Sequence, residues 1–171
     1  MRAYLKRKKV DFVLALDFIE KIVTESNQNF YSIEKRIKNF DSLIEKMERK
    51  NLPLTISGLD KIDDIAGLRV IVNSVSEVYD LVHYFKMSNL EILKMDDYIK
   101  NPKKSGYRSF HLVLNVNNTK VEVQIRTVAM DKFSVIEHAL RYKKDSVSDS
   151  DNLYLERLLQ RTLKEDGLDN F

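Results

Sequence analysis

The chain has 171 residues, 43% apolar and 32% charged, with a net charge of 29 − 26 = +3. A chain of this length buries roughly two-thirds of its unfolded surface, and its balance excludes disordered, collagen-like and low-complexity classes. It has no cysteine, which excludes a disulfide scaffold, a cysteine zinc site and a thiol nucleophile, and its four glycines cannot build a Walker-type or dinucleotide-type loop.

Val10 to Ser26 reads as a helix, with Val13, Leu14, Phe18 and Ile22 at helical spacing. A second helix is predicted to start at Ser32 as N-cap, to carry Ile33, Ile37, Phe40, Ile44 and Met47, and to stop near Asn51 ahead of Pro53. Leu68 to Val72 is predicted as a strand, Val75 to Phe85 as a helix and Leu90 to Lys94 as a strand. Residues 101–107 form a loop. Arg108 to Val116 and Thr119 to Arg126 are two further strands, and Val128 to Lys144 and Asn152 to Lys164 are helices. The mixture predicts an α/β or α+β class with one sheet covered by helices.

The charges are uneven. Arg2, Lys6, Arg7, Lys8 and Lys9 open the chain, and acids from Asp145 to Asp169 dominate its end. Both ends read as solvated. No apolar run approaches the ~20 residues of a membrane span, and no signal-peptide pattern follows the basic start, so the expected compartment is the cytosol.

The two late strands carry the strongest local argument. Asn117 and Asn118 suit a two-residue hairpin turn, because Asn tolerates positive φ. That turn pairs Leu114 with Val121, Leu112 with Val123 and Phe110 with Ile125 on an apolar face. The pleat then sends Ser109, His111, Glu122, Gln124 and Arg126 to the other side. That face is either an ordinary solvated sheet surface or a site. On the predicted second helix, Lys35, Lys38, Ser42, Lys46 and Arg49 recur every three or four residues, with Arg36 alongside. Such a stripe suits a polyphosphate, or a solvated face whose acids, such as Glu45, form i,i+4 pairs. Asp63 or Asp64, just ahead of a strand, could hold Mg²⁺ with substrate phosphates, and Glu122 is a second carboxylate. A turn cap is the alternative for either aspartate.

In series, these segments resemble the synthetase domain of the RelA/SpoT family. The matching residues are Arg36-Ile37-Lys38, Ser42, Lys46, Asp64-Ile65-Ala66-Gly67-Leu68-Arg69, Asp97-Tyr98-Ile99, Asn101-Pro102-Lys103, Gly106-Tyr107-Arg108-Ser109-Phe110-His111, Glu122-Val123-Gln124-Ile125-Arg126-Thr127, Glu137-His138 and Tyr142-Lys143. The resemblance implies an α+β, nucleotidyltransferase-like mixed β-sheet flanked by helices, in a single domain over 1–171. Its core would span 30–144, after an N-terminal helix (1–29) and before an acidic C-terminal helix or tail (145–171). It implies transfer of the β,γ-pyrophosphate of ATP to the 3′-hydroxyl of GDP or GTP, with Mg²⁺, giving ppGpp or pppGpp.

By position, the resemblance makes Arg36 and Arg69 the adenine pair. Lys38, Ser42, Lys46 and Arg49 become ATP phosphate contacts, and Asp64 and Glu122 metal ligands. Lys103, Tyr107, His111, Gln124 and Arg126 contact the acceptor nucleotide. Glu122 also activates the 3′-hydroxyl. No histidine is followed by Asp, so the hydrolase motif of long relatives is missing and the chain resembles a small, synthetase-only type. His83 is read as a helix-surface residue and His138 as structural or orienting. Three expectations compete. One is a toxin-like relative modifying the tRNA 3′ end or adenine nucleotides, another is an inactive nucleotide- or RNA-binding module, and the third is the alarmone synthetase itself. A homo-oligomer, tetramer or dimer, is also expected.

Overall fold

A computed structural model describes residues 1–142 and 148–169. Lys143 of the last matching segment, the Lys143–Lys144 end of the predicted helix from Val128 and Asp145 lie outside the described residues. Helix α1 (Arg2–Glu25) is followed by strand β1 (Ser32–Ile37), α2 (Phe40–Arg49), the single turn α3 (Ile56–Leu59), β2 (Ala66–Val72) and α4 (Val75–Met87). Then come β3 (Glu91–Asp97), β4 (Phe110–Val116), β5 (Thr119–Thr127), α5 (Val128–Tyr142) and α6 (Asp149–Glu165). The strands form one mixed sheet in the order β1-β2-β5-β4-β3, parallel only between β2 and β5. The α+β class is as expected.

The hairpin forms as predicted. Asn117 and Asn118 take φ of 49° and 61°, the double positive φ of a turn whose twist matches the strands. Its register pairs Leu114 with Val121, Leu112 with Val123 and Phe110 with Ile125. These six side chains join Leu68, Val70 and Val72 of β2 in the buried core, under α1 and α4. α4 is held at its start by a capping box, in which Ser74 accepts from the Glu77 N–H and the Glu77 carboxylate accepts from the Ser74 N–H. Among the described residues no helix is long and apolar enough to cross a membrane.

Two expectations are corrected. The segment from Ser32 does not start a helix: Ser32–Ile37 is the edge strand β1, paired antiparallel with β2 from Ser32–Ile71 to Ile37–Ala66. Ile33 and Ile37 are four apart, a spacing that fits both a helical face and alternate residues of a strand. In the strand they pack on the core with Lys35 between them, while Glu34 and Arg36 face the other way. The true N-cap is Asn39, whose side chain accepts from Ser42 N–H at 2.8 Å. The buried stripe of α1 is also not the expected one. Phe12, Ala15, Leu16, Ile19 and Val23 are inside, whereas Leu14 and Phe18 are 63% and 47% exposed.

Candidate active site

The break between β1 and α2 splits the expected basic stripe. Lys35 belongs to the strand, and its ammonium is bound by Asp17 (2.8 Å) and Glu20 (2.6 Å) of α1. Lys38 lies in the connector, where its N–H donates to Ile65 O at 2.8 Å, one step beyond the last β1–β2 pair. That bond sets its side chain beside Asp64. Lys46 reaches the same carboxylate from the last turn of α2. Asp64 Oδ2 accepts from Lys38 Nζ at 2.7 Å and from Lys46 Nζ at 2.5 Å, and all three side chains are largely buried.

Burial pushes the Asp64 carboxyl up, but the two lysine hydrogen bonds outweigh it and hold the group at about 2. Burial lowers the Lys38 ammonium, and its share of the one carboxylate does not make that up. Among the described residues Asp64 Oδ1 is buried with no hydrogen-bond partner. Asp63 also borders the cleft and pairs with Lys120 at 2.9 Å.

The polar face of the hairpin forms a connected chain of contacts. His111 Nδ1 lies 3.4 Å from Glu122 Oε1, and its Nε2 lies 2.8 Å from the Tyr107 hydroxyl. Gln124 Nε2 donates to Glu122 Oε2 at 2.6 Å, and Arg126 donates to Gln124 Oε1 at 2.5 Å and to the Tyr107 hydroxyl at 3.3 Å. Burial pushes the Glu122 carboxyl up, and the hydrogen bonds from His111 and Gln124 more than reverse this, so it lies below its ordinary range. Burial also raises the Tyr107 hydroxyl, against the pull of Arg126. The Lys103 ammonium lies 4.7 Å from the ring centres of both Tyr98 and Tyr107. Ser109 is fully buried and donates to Ile125 O at 3.1 Å, so it supports the face from within.

Arg36 sits opposite Gly67 across the β1–β2 pair, and Arg69 is two residues further along the same face of β2. Diagonal neighbours of this kind stand about 7–8 Å apart at the backbone, and Gly67, opposite Arg36, adds no side chain. Arg36, Lys46, Arg49, Asp64, Arg69, Lys103, Tyr107, His111, Glu122, Gln124 and Arg126 all line one cleft of ≈ 600 Å³. Of the predicted site residues, Lys38 and Ser42 do not line it. Lys38 bonds Asp64, and Ser42 sits in the first turn of α2 with its N–H on Asn39. Glu137 and His138 also line the cleft, and His83 is exposed on α4, as expected.

Among the contributors not foreseen as site residues are Tyr98 and Asp131. Tyr98 packs edge-on against Tyr107 and His111, with ring centres 6.2 and 5.1 Å apart. Asp131 pairs with both Arg126 and Arg69. Asp131 carried no signal in the sequence, since an acid in the first turn of a helix is commonplace.

The profile described as "Region found in RelA / SpoT proteins" matches residues 35–147. The chain belongs to the RelA/SpoT family. Within it, the GTP pyrophosphokinase YwaC of Bacillus subtilis (strain 168) is 40% identical over 120 residues, covering 64% of this chain and 57% of that protein. The GTP pyrophosphokinase YjbM of the same strain is 38% identical over 117 residues, covering 63% and 54%. The match thus spans somewhat more than half the length of these curated relatives. The crystal structure of small alarmone synthetase 2 from Bacillus subtilis superposes with a TM-score of 0.81 at 31% identity, over 95% of this chain and 94% of that one. Small alarmone synthetase 1 from the same organism gives 0.80 at 29%, over 98% and 93%. The RelA/SpoT fold therefore extends across nearly the whole chain, beyond the segment that sequence identity covers.

Proposed function

We propose that this chain transfers the β,γ-pyrophosphate of ATP to the 3′-hydroxyl of GDP or GTP, giving ppGpp or pppGpp and AMP. The observation that carries the reading is the position of Glu122. On β5, between β2 with Arg69 and β4 with His111, it lines the same cleft as Arg36, Lys46, Arg49, Tyr98, Lys103, Tyr107 and Arg126. A relative, small alarmone synthetase 1 from Bacillus subtilis, has been solved bound to its product pppGpp, and the same acceptor class suits this cleft.

In the mechanism, Arg36 and Arg69 hold the adenine between their planes. Lys46 and Arg49, with Lys38 and Ser42 behind them, neutralise the triphosphate and fix its direction. The acceptor's guanine stacks on Tyr107, with Lys103, His111, Gln124 and Arg126 around it. Glu122 takes the proton of the 3′-hydroxyl as its oxygen bonds to the β-phosphorus, and the bond from the α-phosphate bridging oxygen to that phosphorus breaks, releasing AMP. Such transfers depend on positioning and charge neutralisation more than on covalent catalysis.

The donor set fits Mg²⁺. Asp64 offers a buried, unpartnered Oδ1, and Glu122 is close enough for the two charges to interact. Among the described residues no cluster of three or more metal-ligating side chains exists. That suits an ion held by one or two carboxylates together with substrate phosphates. When bound, the ion neutralises charge on the pyrophosphate and the attacking oxygen.

We place the reaction in the cytosol with its nucleotides. The expected dimer or tetramer would cover the exposed Leu14 and Phe18 of α1. The test supplies γ-labelled ATP and Mg²⁺ with GDP, GTP, excess ATP or tRNA as acceptor. Label in ppGpp or pppGpp, with AMP formed in step, is expected. Label in tRNA or an adenine product would move the chain to the toxin-like reading. No transfer, with ATP still bound, would leave the inactive binding module.

A further inference from the structure

We infer that Asp131 is a positioning residue that couples the donor and acceptor sites. The inference rests on the reading of Arg69 as a donor contact and Arg126 as an acceptor contact. β2 and β5 run parallel, with Arg69 opposite Gln124. Arg126, two residues on, therefore points to the same face as Arg69. α5 follows β5 at once, and its first turn brings Asp131 over both guanidiniums. A single oxygen, Oδ1, lies 3.3 Å from one terminal nitrogen of Arg126 and 3.5 Å from one of Arg69.

Two cations sharing one carboxylate oxygen each get less than a two-bonded, fork-like pairing would give. Whatever draws one away leaves the carboxylate to the other. Arg69 has a second partner, Glu34 at 3.5 Å, but Glu34 is exposed and screened by water. Arg126 is 1% exposed and has no such route to solvent.

A donor nucleotide whose adenine takes the Arg69 guanidinium therefore gives Asp131 over to Arg126. Arg126 is already bonded to the Tyr107 hydroxyl and to Gln124, and Gln124 to Glu122. Fixing Arg126 thus fixes the stacking ring and the base that the acceptor meets. By reciprocity the acceptor favours the donor by the same factor.

The test titrates the full chain with Mg²⁺ and an ATP analogue carrying a methylene between the α- and β-phosphates, which resists the cleavage proposed above, with and without GDP. In the wild type GDP should tighten the analogue by about fivefold or more. In Asp131→Asn, which keeps the shape and removes the charge, the factor should fall close to one. Asp131→Glu, which keeps the charge, should restore most of it, an outcome that a purely structural role does not require. Wild-type coupling retained in Asp131→Asn overturns the inference, and so does a wild type without coupling. Should Asp131→Asn not fold, Asp131→Glu and the wild-type factor still decide: coupling in both supports the inference, and its absence from either overturns it. A wild type that binds neither nucleotide overturns the donor and acceptor reading itself, and the inference with it.

Discussion

Leu159 of α6 lies against Gly106 in the loop before β4, so that a Cβ added at Gly106 would stand 2.6 Å from Leu159 Cδ2. The same glycine has φ +87°, a conformation that side chains resist. Asp166, at the end of α6, accepts from Thr127 Oγ1 at 2.8 Å and fixes the helix a second time. The last helix therefore braces the loop that carries Lys103 and Tyr107.

Gly106→Ala tests this brace. The Leu159 side chain can swing aside, so the backbone conformation dominates and costs about 1–2 kcal/mol. The strain falls on the loop proposed to meet the acceptor. GDP binding should weaken while affinity for a non-hydrolysable ATP analogue stays unchanged, both read by calorimetric titration. Equal loss at both nucleotides would separate the loop from acceptor binding.

Glu122→Gln keeps the shape of the side chain and removes the proposed base. Turnover should fall by about 10²–10⁴-fold, while binding of the ATP analogue persists. Because hydrogen bonds from His111 and Gln124 hold the carboxyl low against its burial, Glu122 is ionised throughout the neutral range. The acidic limb of kcat/KM that it contributes should therefore lie below the ordinary 4.5. An acidic limb near neutrality, or a variant with wild-type turnover, would assign the proton transfer to another group.

Asp64 gives a stability prediction with a defined sign. Its pKa is lowered on folding from 3.8 to about 2. The stabilisation is thus complete above about pH 4 and is lost as pH falls through about 2, amounting to about 2 kcal/mol. Denaturant midpoints of wild type and Asp64→Asn should differ at pH 6 and converge toward pH 2. A gap that stays constant over that range would mean that the ion pairs with Lys38 and Lys46 do not hold the carboxylate.

What the sequence made legible was local or periodic. The hairpin could be read because strict alternation and an Asn-Asn turn leave one register, and that register alone collects His111, Glu122 and Gln124 on one face. β1 could not be read, because a strand at a sheet edge exists through its partner. Nothing between Ser32 and Ile37 announces that β2 offers it a free edge. Asp131 was hidden for a similar reason, since its two arginines come from different strands and meet it only in the folded chain. The arginine pair Arg36 and Arg69 could be named from the family resemblance, but the diagonal that spaces them needed the register.

The misread segment yields the sharpest contrast between two lysines. On a single basic helix, Lys35 and Lys46 would serve one phosphate chain alike. In the folded chain, Lys35 turns to Asp17 and Glu20, whereas Lys46 lines the cleft and bonds Asp64. Lys35→Met should leave the KM for ATP unchanged and cost at most about 1 kcal/mol of stability, the usual worth of a surface ion pair. Lys46→Met should raise the KM for ATP by about tenfold or more, since a charged hydrogen bond is worth about 1.5–3 kcal/mol. It should also let the Asp64 carboxyl rise, because one of its two ammonium donors is gone. Steady-state kinetics of the two variants side by side decide the matter. Equal rises in KM would put Lys35 of β1 on the same phosphate chain as Lys46 and overturn the contrast.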